Sequence, residues 1–311
     1  MKALVAVLAL LVAGCGAASG SDSTETTPTF PESDKIVRVV NLNAAMGYRA
    51  GKGDPAGTDA TREDLMLLAR DILGNGGDIA NLQEMALPAA RELRTILREL
   101  SGDEWQLNWA HAANSSFYPG KNRDESPTYE NVSSGNAQLV RIGDGITSQR
   151  PITIDDVNDD QGVVLPSGGR SFMGAEITTA QGVFDVYNTH LSLARQNSDE
   201  RRAADVRRIQ EITESGTNPA VVTGDLNQTI GVPDPSRLTM AAIETYTRDL
   251  DYTDVAADLG PTIDQKHPDK DSRRIDYILV RGVGASDTVR FVSHESDHWG
   301  LAATIEVSLG A

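Results

Sequence analysis

Hydrophobic positions along this chain fall mostly into short runs that end in polar clusters, with helical spacing in a few places only. Residues 36–40, Ile-Val-Arg-Val-Val, form a β-branched run that predicts a strand, and residues 78–83 predict a second. Further strand-like runs occupy residues 137–141, 171–178, 183–189, 219–223, 275–280, 288–292 and 301–307. Thr61, with Asp64 three residues on, has the form of a helix N-terminus. Leu65, Leu68, Ala69 and Ile72 then recur at i, i+3, i+4 and i+7, and Gly74-Asn75-Gly76-Gly77 closes the helix. A second helix starts at Pro88 and places Leu93, Ile96, Leu97 and Leu100 on one face. Ser198 opens a third, with Asp199 and Glu200 complementing the dipole of its first turn, and residues 238–246 predict a fourth. Residues 47–61 and 111–131 are polar and punctuated by Gly or Pro, so they read as loops. A loop as long as the second is usually functional or mobile. Many strands with few helices predict two packed sheets with helices outside, in one domain over residues 34–311.

The first residues follow other rules. Lys2 precedes an apolar run over residues 3–13, then Gly14, Cys15 and Gly16. That run is too short to span a bilayer and has the form of a signal peptide. Val12-Ala13-Gly14-Cys15 resembles the bacterial lipobox, which implies a signal peptide over residues 1–14 and lipidation at Cys15. Residues 15–33, rich in Ser, Thr, Gly and Pro, then form a flexible tether. The expected location is extracytoplasmic: a bacterial cell-surface lipoprotein anchored in the membrane, or a secreted protein. Cys15 is the only cysteine, so the remainder holds no internal disulfide.

The chain has 311 residues, 39% hydrophobic and 23% charged, enough for a sizeable core. Its net charge of −17 disfavours tight metal-free binding to nucleic acid, because few cations are available to release counterions. Carboxylates that hold a divalent cation can still bring a site up to phosphate. The same charge also serves solubility.

Chemistry gathers where strands end. Asn43 ends the first predicted strand and Glu84 the second. Asn188-Thr189-His190 and Gly224-Asp225-Leu226-Asn227 end two later ones, and Ser296-Asp297-His298 separates the last two. Asn or Asp after a strand is an ordinary turn residue, but five such clusters with matched contents exceed what turns require. Asn43, Glu84 and Asp297 supply oxygens suited to a hard divalent cation. His190 and His298 can carry protons near neutrality. Asp225 and Asn227, two apart, can face one site. Zinc motifs, a Walker loop and a Gly-x-Ser-x-Gly elbow are all missing from the sequence.

In order, Asn43, Leu-Gln-Glu84, Gly135-Asn136-Ala137, Asn-Thr-His190, Gly-Asp225-Leu-Asn227, Arg274-Ile-Asp276-Tyr-Ile and Ser-Asp297-His298 resemble the endonuclease/exonuclease/phosphatase superfamily, the DNase I-like proteins. Leu165-Pro166 with a later Arg170 also looks like members of that family. The resemblance spans residues 36–307 and implies a four-layer α/β-sandwich, two packed mixed sheets flanked by helices. It also implies roles. Glu84 would be the main metal ligand, helped by Asn43 and Asp297. Asp225 would orient or deprotonate the attacking water, and Asn227 would position it or bind phosphate. His298, polarised by Asp276, would sit against the scissile phosphate, His190 would aid the transition state or leaving group, and Asn136 would lie near the phosphate. Many members carry an aromatic residue or Thr before the catalytic Asn, where this chain reads Val-Asn-Leu-Asn. Asn43 is taken as the ligand because it lies farther along the strand, with Asn41 on the same side as the alternative.

The implied cofactor is Mg²⁺, with Mn²⁺ or Ca²⁺ as alternatives, acting in a monomer. Nucleic acid is the first expectation for the phosphate-ester substrate. Arg195, Arg201, Arg202, Arg207 and Arg208 form the densest basic stretch, although a solvated helix face explains them as well. A sphingomyelinase-like or inositol-phosphate-type esterase is the second reading; the adjacent Phe117 and Tyr118 would serve its membrane contact. An inactive surface binding module is the third.

Overall fold

The computed structural model describes residues 37–45, 60–111, 134–143, 145–149, 162–232, 237–263, 273–294 and 296–307. Cys15, the tether, Phe117 and Tyr118 lie outside these. Two mixed sheets stack face to face. The first has the order β12(Gly284–Phe291), β13(Gly300–Glu306), β1(Val37–Asn43), β2(Ile79–Ala86), β4(Ser134–Ile142), β3(Glu104–His111). The second runs β10(Thr253–Asp254), β11(Asp276–Arg281), β9(Ala220–Asp225), β8(Gly182–His190), β7(Ser171–Thr179), β5(Thr147–Gln149), with β6(Gly162–Val164) also on β7. Helices α1(Arg62–Gly74) and α2(Leu87–Ser101) cover the outer face of the first sheet through Leu65, Leu68, Ile72, Leu93, Ile96 and Leu97. Helices α3(Asp199–Ser215) and α4(Arg237–Asp249) cover the second through Val206, Ile209 and Ile243. The expected four-layer sandwich is present.

Local chemistry explains the helix starts. Thr61 and Asp64 close a reciprocal capping box on α1, and the Ser198 hydroxyl accepts from Arg201 N at the head of α3. Leu100, expected on the buried face of α2, is 43% exposed, in the last turn of the helix.

Composition changes in one direction along the inward faces. On β1 the inward series is Val37, Val39, Asn41, Asn43, and on β8 it is Phe184, Val186, Asn188, His190. On β9 it is Val221, Thr223, Asp225. The antiparallel β11 and β4, read backwards, give Val280, Ile278, Asp276 and Val140, Gln138, Asn136. One end of the interlayer is therefore aliphatic, the middle is amide and the far rim is ionisable.

The amides are paired across the sheets. Gln83 Nε2 donates to Asn41 Oδ1 at 2.8 Å and Asn188 Oδ1 at 2.7 Å. Asn81 Nδ2 donates to Thr223 Oγ1 at 2.8 Å, and Gln138 Nε2 donates to Asn81 Oδ1 at 3.0 Å. Buried amides need such partners to offset lost hydration. Asn41 belongs to this seam, one step below the rim.

Candidate active site

Sheet register sets the rim. His190 lies beside Asp225 in the parallel β8 and β9 pair, and Asp276 lies beside Asp225 in the antiparallel β9 and β11 pair. Three neighbouring strands thus end level, with three ionisable side chains on one face. Gly224 permits the close approach, since a Cβ there would lie 2.3 Å from Thr189 O. His298 enters from the loop before β13. Its Nδ1 is 2.9 Å from Asp276 Oδ2, and its Nε2 is 3.8 Å from Asp225 Oδ2. Ser296 Oγ donates to Asn43 O at 2.7 Å and accepts from His298 N at 3.0 Å, tying that loop to β1. Thr262 Oγ1 accepts from Asp276 N at 3.0 Å, and Thr262 O accepts from Trp299 N at 2.7 Å, so one residue fixes both sides of the Asp276 and His298 pair.

The opposite sheet contributes Asn43, whose Nδ2 donates to Asp225 Oδ2 at 3.1 Å, and Glu84, whose Oε1 is 3.9 Å from His190 Nε2. Strict alternation would turn Glu84 outward with Leu82, into the helix layer. A β-bulge prevents this. Leu82 pairs with Ala137 and Met85 with Gly135, so Gln83 and Glu84 together oppose Asn136. Glu84 takes the left-handed conformation, φ 54°, at a cost of about 1–2 kcal/mol for a non-glycine residue. The Trp109 indole N–H donates to Met85 O at 3.0 Å and pins the bulge. Gly135 makes room for that ring, because a Cβ there would meet it at 2.7 Å. Asn136 is buried opposite the bulge and donates to Ser171 O at 2.9 Å.

Asn227 also has positive φ, 48°, which Asn tolerates. Its backbone N–H donates to Asp225 Oδ1 at 2.9 Å, and its Nδ2 lies 3.1 Å from His190 Nε2. Arg202 holds the Asn227 carbonyl at 2.9 Å. That Arg is fully buried, so it leaves the expected basic stretch and becomes a support of the site. Arg195, Arg201 and Arg207 are exposed, and Arg208 pairs with Glu211 at 3.1 Å. Asp297 is exposed beside the cluster and adds to the field on His298. Thr262 and Trp109 had no role in the sequence reading; Ser296 entered only as the first residue of Ser-Asp297-His298, and Arg202 only within the basic stretch. Arg170 carried only the Leu-Pro signal.

Burial dominates the electrostatics. It pushes the Asp225 carboxyl up to about 7, helped by Asp276 and opposed by His298, Asn227 and Asn43. Burial pushes His190 well below its ordinary value, with the Arg170 and His298 charges adding to the effect. Burial would also lower His298, but Asp276, followed by Asp225 and Asp297, outweighs it and raises the imidazole to about 10.

Ligand atoms of Asp225, Asp276 and His298 lie within 4.8 Å of one another. Asp276 Oδ1 is buried without a hydrogen-bond partner among the described residues. With Asn43 and Glu84 facing them, the donors are mostly oxygen, and thiolates are lacking. This set fits a hard divalent cation.

The family model described as "Endonuclease/Exonuclease/phosphatase family" matches residues 40–298. No functionally curated protein matches the chain. Among solved structures, the chain is similar to an endonuclease/exonuclease/phosphatase from Beutenbergia cavernae, with 17% identity over 88% of this chain and 72% of that one, TM-score 0.62. It is similar to another from Bacteroides vulgatus, with 22% identity over 88% and 100%, TM-score 0.61. The human Nocturnin catalytic domain with bound sulfate anion gives 17% identity over 88% and 94%, TM-score 0.60. At these identities the likeness is one of fold.

Proposed function

Because the chain belongs to the endonuclease/exonuclease/phosphatase family, we propose that it is a divalent-metal-dependent phosphodiesterase acting on nucleic acid by in-line attack of water. One observation carries the reading. The register of β8, β9 and β11 aligns His190, Asp225 and Asp276, with His298 between the carboxylates and Asn43 and Glu84 facing them from the other sheet.

Glu84 and Asn43, with Asp297 at the rim, would hold Mg²⁺, or in its place Mn²⁺ or Ca²⁺. When bound, the ion supplies charge neutralisation at a phosphoryl oxygen. Asp225, raised toward neutrality, is tuned to take a proton from water held by the Asn227 amide. His298, kept cationic by Asp276, faces a phosphate oxygen and opposes the charge that develops there. His190 offers its ring N–H to the same transition state, and Asn136 borders the phosphate. Positioning and charge, with little covalent chemistry, would carry the rate.

The lipobox-like Val12-Ala13-Gly14-Cys15 supports a lipid-anchored, extracytoplasmic protein. Labelling with radioactive palmitate should mark the wild type and spare Cys15→Ser; equal labelling of both would end the anchor. Among the described residues no helix is long and apolar enough to cross a membrane.

The substrate test is a panel of plasmid DNA, RNA, sphingomyelin and inositol phosphates, each with magnesium, calcium or manganese. Nucleic-acid cleavage that EDTA silences and magnesium restores is expected. Turnover of sphingomyelin or inositol phosphates alone would move the protein to the lipid or sugar-phosphate class. Inactivity throughout, with no metal binding in calorimetry, would leave a binding module.

A further inference from the structure

Arg170 sits just before β7 at the back of the rim and is 4% exposed. The turn that carries it is closed by hydrogen bonds from Leu165 N to Arg170 O and from Gly168 N to Leu165 O, at 2.8 and 2.9 Å. The carboxylate of Asp205 on α3, also buried, accepts from Ser167 N at 2.7 Å and faces the guanidinium charge. Arg170 Nη2 donates to Gln196 Oε1 at 3.2 Å, and that oxygen also accepts from Leu193 N at 2.8 Å. The guanidinium is thus held from the β6 to β7 turn, from α3 and from the segment after β8. A buried cation is costly to desolvate, so so much structure around one side chain marks a specific task.

That task is visible at Nη1, which stands 3.0 Å from His190 Nδ1. A guanidinium has no acceptor and stays protonated in proteins. The imidazole nitrogen facing it must therefore accept, which puts the ring proton on Nε2. There the N–H is 3.4 Å from Asp225 Oδ2 and 3.9 Å from Glu84 Oε1. The Asn227 amide nitrogen, 3.1 Å from the same ring nitrogen, has two N–H groups: one donates to Leu191 O at 2.9 Å and the other competes with the ring proton at Nε2, so the assignment rests on Arg170, which, unlike an amide, has no acceptor to turn toward the ring. His298 is built the opposite way: its Nδ1 faces the carboxylate of Asp276, which requires an N–H there.

We propose that Arg170 is a positioning residue that fixes His190 as the Nε2–H tautomer and aims this N–H at the rim. The two rim histidines then have different jobs. His190 is a fixed hydrogen-bond donor, and His298 is the one whose ring is oriented by an acid. The consequence for turnover rests on the hydrolase reading, whereas the tautomer does not.

Two-bond ¹⁵N–¹H correlation spectra of metal-free, histidine-labelled protein separate the tautomers, and His190→Gln identifies the signal. The wild type should show a protonated Nε2 and an unprotonated Nδ1 at His190. Arg170→Lys should keep this pattern, and Arg170→Met should lose it. With magnesium and bis(p-nitrophenyl) phosphate, Arg170→Met should lower kcat about 10–100-fold with KM nearly constant, and Arg170→Lys should recover much of the loss. A protonated Nδ1 in the wild type, or an unchanged His190 signal in Arg170→Met, overturns the proposal. If Arg170→Met does not fold, the wild-type and Arg170→Lys spectra decide. A wild type inert toward the diester counts against the hydrolase reading alone, since the tautomer is read without substrate.

Discussion

The two ends of the interlayer are made by the same strands at the same spacing, yet they do different work. At one end Val37, Ile79, Phe184, Val186 and Ile305 pack together between the sheets. At the other, four residues beyond Val186 on β8, at the ends of β9 and β11 and in the loop before β13, His190, Asp225, Asp276 and His298 stand nearly as buried. Equal burial of unequal chemistry separates stability from reactivity: the aliphatic end holds the sheets together, and the rim holds charges that burial alone would neutralise. The amide seam between them is the transition, its side chains bonded to one another and to Thr223 and Asn188.

That division can be attacked from both ends. Glu84→Ala or His298→Ala should cut turnover of a cleaved phosphodiester by about 10³-fold or more, and Glu84→Ala should leave the thermal melt nearly unmoved. A large drop in melting temperature with the same loss would blur the division. At the aliphatic end, Phe184→Ala should destabilise by about 3–5 kcal/mol in urea unfolding, with kcat of the folded fraction unchanged. In the seam, Asn81→Leu strips partners from Gln138 and Thr223 and should cost about 1–3 kcal/mol by the same assay. A further effect is a slope with pH. His298 has a folded pKa of about 10, above its ordinary value of 6.5, so its contribution is complete below pH 6.5 and is lost as pH rises toward 10. Metal-free protein should melt progressively lower across that window, and Asp276→Asn should flatten the trend.

Much of this was legible in the chain. The strand ends that discharge into Asn-Thr-His190, Gly-Asp225-Leu-Asn227 and Ser-Asp297-His298 are visible because apolar runs stop abruptly there, and the caps at Thr61 and Ser198 are local by nature. What stayed hidden depends on partners distant in sequence. β3 lies outside the predicted strands although Trp105, Leu107 and Trp109 alternate with Gln106 and Asn108 as in a half-buried strand; Asn108 donates to Gln138 on the neighbouring β4. Arg202 looked like one of a row of surface cations, and only the carbonyl of Asn227 shows why it is inside. Asn41 and Asn43 have the same parity, so the choice between them depends on depth, which a strand pattern does not encode. The structure puts Asn41 against Gln83 and Asn43 against Asp225.

The bulge at Gln83 and Glu84 makes the facing of one acid a matter of counting. Without the extra residue only one side chain could stand opposite Asn136, so the seam amide of Gln83 and the rim carboxylate of Glu84 would exclude each other. Deleting Gln83 should keep both sheets by circular dichroism and keep magnesium binding by calorimetry while lowering the melting temperature, whereas deleting Glu84 should keep the sheets and lose the ion. An insertion of one thus lets a single strand serve the scaffold and the rim at the same point.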